Sequence, residues 1–232
     1  MRLLSRIGSA FDANSWGEIS VACRASVSPK DIVFTGVGKT HTELTQAVGL
    51  GIQAINAESI GELTRINQIA LSENKCARVA IRINPDIDAK SHPGISTGGR
   101  SHKFGVPLHE AGSVFREVSR WNGIRLVGVH AHVGSQIISI DPVKTVAKTV
   151  SNFAQTLIAD GLTLEHIDLG GGLGISYDGK QTLPVKEYVG ALLHKNHQED
   201  LIPLRSEKSV NNYICLLYTS DAADDMQCVD LG

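Results

Sequence analysis

Two stretches of this chain hold residue types that can do chemistry. The first is Ile167-Asp168-Leu169-Gly170-Gly171-Gly172-Leu173-Gly174-Ile175, where a short apolar run opening at Glu165-His166-Ile167 ends in three consecutive glycines. Glycine has no Cβ, so such a run lets backbone approach a ligand closely. Successive unhindered N–H groups form a concave anion site. A helix starting there adds its free N–H groups and dipole, which favour a phosphate. The same triplet also suits a tight strand-to-helix turn with no ligand. The second stretch is Gly128-Val129-His130-Ala131-His132-Val133-Gly134-Ser135-Gln136, a strand pattern ending in a polar, glycine-containing loop. Residues two apart on a strand point the same way, so His130 and His132 share a face, with His132 nearer the strand end. A histidine on an apolar strand is more often a packed, hydrogen-bonded residue than a ligand, and His130 is read so. His132, followed by Gly134-Ser135, is read as functional.

These residues need elements to carry them. A helix end over residues 1–10 leads into a short strand or loop at Ala10–Ser15. Strands are expected at Asp31–Gly36, Ile52–Ala57, Ala77–Asn84, Ile124–His132 and in the run before the glycines. Helices are expected over Glu18–Ala25, His41–Leu50, Ser59–Leu71, Leu108–Trp121, Val143–Asp160 and Val185–Lys195. A long polar loop, Asp86–Lys103, separates two of these units, and loops of that length are usually functional or mobile. Strand then helix repeats about six times, and the strands are continuously apolar, which is how parallel strands covered on both faces read. An open doubly wound sheet places its glycine-rich turn after the first strand. Here it follows the sixth visible strand, which suits a closed eight-unit barrel with a phosphate site after its seventh strand. The expected fold is therefore α/β, an incomplete (β/α)8 barrel holding about strands 2–7.

Composition narrows the function classes. With 22 basic and 24 acidic residues the chain is nearly neutral, which predicts no attraction to nucleic acid or membrane. No apolar run reaches a bilayer span, and the N-terminal residues Met1–Gly8 lack the pattern of a signal peptide. The four cysteines, Cys23, Cys76, Cys215 and Cys228, have no C-x-x-C spacing, and a reduced, cytoplasmic setting is expected.

Seven motifs in order resemble one family. They are Phe11-Asp12-Ala13-Asn14-Ser15-x-Gly17-Glu18, Pro29-x-x-Ile32-Val33-Phe34-Thr35-Gly36-Val37-Gly38-Lys39-Thr40, Asn56-Ala57-Glu58-Ser59-x-x-Glu62-Leu63, Arg82-Ile83-Asn84-Pro85-Asp86, Lys103-Phe104-Gly105, His130-x-His132-Val133-Gly134-Ser135-Gln136 and Gly170-Gly171-Gly172. The chain, from about Arg2 to about Ile202, resembles the fold-type III pyridoxal-phosphate decarboxylases, whose barrel is of the alanine racemase type. The second and fourth motifs favour diaminopimelate over ornithine or arginine as substrate class, with a related decarboxylase of ornithine, arginine or carboxynorspermidine type as the alternative. The resemblance implies decarboxylation of meso-diaminopimelate to L-lysine by a homodimeric parent protein, with pyridoxal 5′-phosphate as cofactor. It implies that His132 stacks on the cofactor ring, that Ser135 and the amides of Gly170, Gly171 and Gly172 hold the phosphate, that Arg82 lies near the 3′ oxygen, and that Asp12 lies near the junction of lysine and cofactor. Lys39 and Lys103 match no cofactor-lysine motif and are read as structural or loop residues. The polar loop matches the rim of the family's site.

The same resemblance sets expectations at both ends. The cofactor lysine, in a motif like Tyr-Ala-x-Lys-Ala-Asn, is expected ahead of Met1, so no catalytic residue is assigned within the chain. A Glu-Pro-Gly-Arg motif is not found in Asp200–Lys208, and Arg205 and Glu207 do not align with it. Residues 1–208 are expected to form the partial barrel. Residues 209–232 are read as a non-homologous tail, of adapter or frame-shifted origin, with the family's C-terminal β domain absent. Alone, such a fragment is expected to be inactive and, with two open sheet edges, poorly soluble. Two other classes fit parts of the sequence: a non-catalytic pyridoxal-phosphate-binding barrel, and a barrel hydrolase using His130 and His132 as metal ligands to activate water.

Overall fold

Strand and helix alternate through the computed structural model, which describes residues 1–87, 104–177, 179 and 182–192, with the backbone of 211–213. In chain order the elements are α1 (Arg2–Arg6), β1 (Phe11–Ala13), α2 (Trp16–Arg24), β2 (Ile32–Phe34), α3 (His41–Leu50), β3 (Ala54–Ala57), α4 (Ile60–Ser72), β4 (Ala77–Asn84), β5 (Val106–Pro107), α5 (Leu108–Val118), β6 (Ile124–His130), α6 (Ile140–Ala159), β7 (His166–Asp168), α7 (Val185–Leu192) and β8 (Asn211–Tyr213).

Local sequence explains where the early helices begin. Ser15, Thr40 and Ser59 each precede a glutamate by three residues, and each hydroxyl accepts the backbone N–H of that glutamate, Glu18, Glu43 and Glu62. The glutamates reach back in turn: Glu18 accepts Asn14 N–H at 2.6 Å, Glu43 accepts Thr40 N–H at 3.0 Å, and Glu62 accepts Glu58 N–H at 3.1 Å. Donors that a helix start would leave orphaned are thus paired, each cap being worth about 1 kcal/mol. At its other end α3 stops at Gly51, in the left-handed region at φ +67°.

All pairings between these strands are parallel, in the order β1-β2-β3-β4-β6-β7-β8, with β5 against the end of β4. One face is apolar: Phe11, Ile32, Phe34, Ile55, Val79, Ile81, Ile83, Val129 and Ile167 pack with the helices in a single core. Burying a side chain of this size stabilises by about 1.5–3 kcal/mol. The other face carries Asp12, Asn56, Arg82, His130 and Asp168. The sheet curls toward that second face. From β3 to β7 is three strand spacings, about 14 Å across a flat sheet, yet Asn56 Nδ2 donates to Asp168 Oδ2 at 2.9 Å. Only a sheet closing on itself brings these two side chains together. The molecule is an incomplete (β/α)8 barrel whose polar face is its interior.

One irregularity sets which residues of β6 look inward. Val79 pairs with Leu126 but Ala80 pairs with Gly128, so Val127 is an extra residue in β6. A bulge of this kind reverses which face later residues occupy. It brings His130 level with Arg82 on one side and Asp168 on the other.

The structure moves several boundaries. The expected strand Ile124–His132 ends at His130, so His132 stands in the following loop. The long helix starts at Ile140 rather than Val143, and β5 was not expected at all. Residues 88–103 of the polar loop, with Lys103, and residues 193–210 lie outside the described residues. Within the stretch read as a tail, the backbone of Asn211–Tyr213 runs parallel beside β7. Backbone N–H and C=O groups at a sheet edge accept any extended segment.

Candidate functional site

The inward polar residues meet at the C-terminal ends of the strands and form one network. Thr35 Oγ1 donates to Asp12 Oδ1, and Asn56 Nδ2 donates both to Thr35 Oγ1 at 3.0 Å and to Asp168 Oδ2 at 2.9 Å. His130 Nδ1 lies 2.9 Å from the same Asp168 oxygen. Asp168 Oδ1 accepts the N–H of Gly170 at 2.8 Å. Four parallel strands and the end of a fifth thus contribute to one buried chain of contacts.

Charge within it is unevenly held. Asp168 is buried, which alone would raise its pKa, but His130, the Gly170 amide and Asn56 outweigh burial and hold the carboxyl well below the usual range. Asp12 goes the other way. Burial and the neighbouring charge of Asp168 push it well above the usual carboxylate range. Two carboxyls in one desolvated network do not both ionise easily, and the one with more donors keeps the charge.

The glycine turn closes on the loop after β6. Gly170 and Gly172 have φ of +67° and +109°, conformations that favour glycine. A Cβ on Gly170 would stand 2.7 Å from His132 Nδ1, and one on Gly172 would stand 2.0 Å from the carbonyl oxygen of Gly134. Only glycine permits this approach. Ile137 N–H donates to the Gly172 carbonyl at 2.8 Å, Gly174 N–H donates to the Ile137 carbonyl at 3.0 Å, and Gln136 Oε1 accepts Ile175 N–H at 3.0 Å. The loop that carries His132 and Ser135 is thereby fastened to the glycine turn. The Gly170 amide is taken up by Asp168, whereas the buried amides of Gly171 and Gly172 have no acceptor among the described residues. Two buried donors without acceptors could take an anion.

His132 and Arg82 complete the site. Burial, with the nearby charges of Arg82 and His130, pushes His132 down to about 3. At neutral pH its imidazole is uncharged, a flat polarisable ring rather than a cation. Arg82 is buried and its NH1 donates to Glu58 Oε2 at 2.6 Å. The guanidinium also lies 5.7 Å from the centre of the Phe104 ring, within cation–π range. Glu58 is itself held through its N–H by Glu62, whose other oxygen pairs with Lys39.

The structure therefore brings Arg82, His130, His132 and Asp168 to one end of the interior, with Asp12 reached through Thr35 and Asn56. Ser135 stands in the fastened loop. His130 is buried against Asp168, a packed and paired residue. Lys39 is also structural: its Nζ donates to the carbonyls of Gly36 and Asn56 at 2.6 and 2.7 Å and to Glu62 at 2.8 Å. Among the described residues no three His, Cys, Asp or Glu side chains form a metal-binding cluster. Sequence reading did not single out Asn56, Glu58 or Asp168 as site residues. Asn56 and Asp168 nevertheless carry a signal, since each is a polar residue within an apolar strand, and such residues stay buried only when paired.

The donor set fits a phosphate-bearing aromatic cofactor. Residues 1–207 match the family model described as pyridoxal-dependent decarboxylase, pyridoxal binding domain. Diaminopimelate decarboxylase of Helicobacter pylori (strain J99 / ATCC 700824) is 42% identical over 201 residues, covering 87% of this chain and 50% of the relative. The enzyme of that name from Aquifex aeolicus (strain VF5) is 40% identical over 193 residues, 83% of this chain and 46% of its own length. A crystal structure of a point mutant of Helicobacter pylori diaminopimelate decarboxylase, complexed with L-lysine, superposes with a TM-score of 0.81 at 39% identity. It covers 93% of this chain and 52% of that one. The chain spans about half the length of the curated relatives it matches.

Proposed function

The chain belongs to the pyridoxal-dependent decarboxylases, whose pyridoxal-binding domain it carries, and we propose that the protein it comes from converts meso-diaminopimelate to L-lysine and carbon dioxide. The observation that carries this reading is the meeting of the two acceptor-free glycine amides with His132 and Arg82 at one mouth. The relatives' shared name supports the choice of substrate.

In this reading the amides of Gly171 and Gly172, with Ser135, bind the phosphate of pyridoxal 5′-phosphate. When bound, the cofactor supplies an electron sink for the electron pair left as carbon dioxide departs. His132, uncharged at neutral pH, packs its flat face on the cofactor ring without adding charge. Arg82, steadied by Glu58, offers a fixed cation at the ring's oxygen. Asp12, whose pKa burial and Asp168 raise well above the usual carboxylate range, lies deeper in the network and presents its carboxyl toward the junction of cofactor and lysine. The glycine contacts and the fastened loop fix the phosphate end, so the rest of the cofactor is oriented from a rigid anchor. Residues 1–208 form the cofactor-binding part of the parent. A homodimer, a small-molecule amino-acid substrate and a cytoplasmic location accompany this reading. Among the described residues no helix is long and apolar enough to cross a membrane.

The test is substrate competition in the full-length protein loaded with pyridoxal 5′-phosphate. Lysine should form from meso-diaminopimelate at a kcat/KM at least a hundredfold above that for release of carbon dioxide from ornithine or arginine. Preference for either of those two amino acids refutes the substrate, and no turnover of any of the three refutes the activity.

A further inference from the structure

We infer that Asp168 is a positioning residue that locks the phosphate cradle to the imidazole of His132, and so sets how strongly the phosphate group contributes to cofactor binding. The inference rests on the decarboxylase reading above and goes beyond it to a residue that touches neither cofactor nor substrate.

The argument starts from what the carboxylate holds. Asp168 is the last residue of β7 and is 4% exposed. Its Oδ2 takes Asn56 Nδ2 and stands beside His130 Nδ1, both at 2.9 Å, while its Oδ1 takes Gly170 N–H at 2.8 Å. Its own backbone carbonyl accepts Ala131 N–H at 2.8 Å. The residue therefore ties β3, β6 and the glycine turn together from both main chain and side chain.

Gly170 is the pivot. Its position at φ +67° leaves no room between its Cα and His132 Nδ1. Glycine is also the residue with most conformational freedom to lose. Without the Oδ1 acceptor, the turn has alternatives that move the acceptor-free N–H groups of Gly171 and Gly172. A charge-assisted hydrogen bond to a backbone N–H is roughly twice as strong as a neutral one, and here it acts on the residue directly before the two open amides. This hydrogen bond thus acts on the phosphate end of the cofactor.

That placement gives the test. In the full-length protein, the dissociation constants of pyridoxal 5′-phosphate and of pyridoxal, which lacks the phosphate, are measured by absorbance titration. The preference for the phosphorylated form is taken as their ratio. Asp168→Ala should lower that ratio at least tenfold, with pyridoxal itself bound within about threefold of wild type. Asp168→Asn keeps an oxygen for the Gly170 N–H and should recover most of the ratio. General loosening of the fold would weaken both compounds together and leave the ratio unchanged, and that result overturns the inference. Where Asp168→Ala does not accumulate as folded protein, Asn56→Ala removes one of the carboxylate's partners and should lower the ratio about threefold. An unchanged ratio there overturns the inference equally. A wild-type protein that takes up neither compound overturns the decarboxylase reading itself, and with it this inference.

Discussion

Lys39 is read from the sequence as a structural residue, and its surroundings predict a large cost for losing its charge. Its ammonium is fully enclosed, with side-chain exposures of 0% for Lys39 and 3% for its partner Glu62. Three acceptors surround it: the Gly36 carbonyl at 2.6 Å, the Asn56 carbonyl at 2.7 Å and Glu62 Oε1 at 2.8 Å. Replacing Lys39 with Met keeps much of the volume and removes the charge, leaving a buried carboxylate and two carbonyls without their donor. Breaking a buried ion pair from one side costs about 3–5 kcal/mol. At roughly 2–4 °C per kcal/mol for a domain of this size, the midpoint should fall by about 6–20 °C. Thermal melting of the full-length protein, followed by circular dichroism, measures this. The second carboxylate oxygen of Glu62 must still accept Glu58 N–H, so the companion change is Glu62→Gln, which retains an acceptor. The double variant Lys39→Met/Glu62→Gln should recover about half of the loss, because no buried charge then lacks its partner. A single variant melting within about 2 °C of wild type would refute the reasoning, since it would mean that water or a rearranged loop compensates the carboxylate. In the loaded protein, borohydride reduction followed by peptide mapping should put the pyridoxyl label on a lysine other than Lys39.

Two further predictions concern the neighbouring pair His166 and Gly128. Burial pushes His166 down to about 4, below the ordinary value near 6.5 for an unfolded chain, so the fold holds the neutral ring. Stability is then full above about pH 6.5 and is lost as pH falls from there toward 4, amounting to about 2 kcal/mol at pH 5. Unfolding free energies from urea titrations at pH 7 and pH 5 should differ by that much less in His166→Asn than in wild type, and equal differences would refute the assignment. A Cβ on Gly128 would stand 2.6 Å from His166 Nε2, so Gly128→Ala should destabilise by about 1–3 kcal/mol through overpacking. His166→Ala should relieve that loss, and strict additivity in a cycle of thermal melts would place the ring elsewhere.

How much of this was legible in the sequence depends on whether a residue's role is local. The starts of α3 and α4 were legible to within a residue, because Thr40 and Ser59 each meet their glutamate within one turn, whereas α2, expected from Glu18, begins at Trp16. Strand–helix alternation and the continuously apolar strands were legible for the same reason, and the place of the glycine turn after the sixth visible strand favoured a barrel over an open sheet. The end of β6 was not. The reading ran it to His132, because nothing within the segment reveals that Val127 is an extra residue relative to β4. That bulge exists only in the pairing of two strands. Asn56 was passed over for a similar reason, since its partners Thr35 and Asp168 come from other strands. Asp168 stands out in the sequence only by its place before the glycines, and the sequence does not disclose that it occupies the Gly170 amide. That contact leaves two open amides in the turn where three had been expected. Composition says nothing of β5, whose two residues find a place only at the end of β4.

The hydrogen bond between Asn56 and Asp168 spans 112 positions of the chain, and that separation has a consequence during synthesis. Translation adds about 5–20 residues per second, so Asn56 is added to the chain roughly 6–22 s before Asp168. Helices α2, α3 and α4, capped from within their own first turns, have ample time to form in that interval. The polar interior does not, because its two halves have not yet been made. A nascent chain paused between these points presents Asn56 with no carboxylate to receive its amide. In such a chain the outer layer is assembled while the binding mouth is still open to water. Proteases and chaperones acting on the growing polypeptide would therefore meet the polar face of the sheet, and the site would be the last part of this half of the barrel to close.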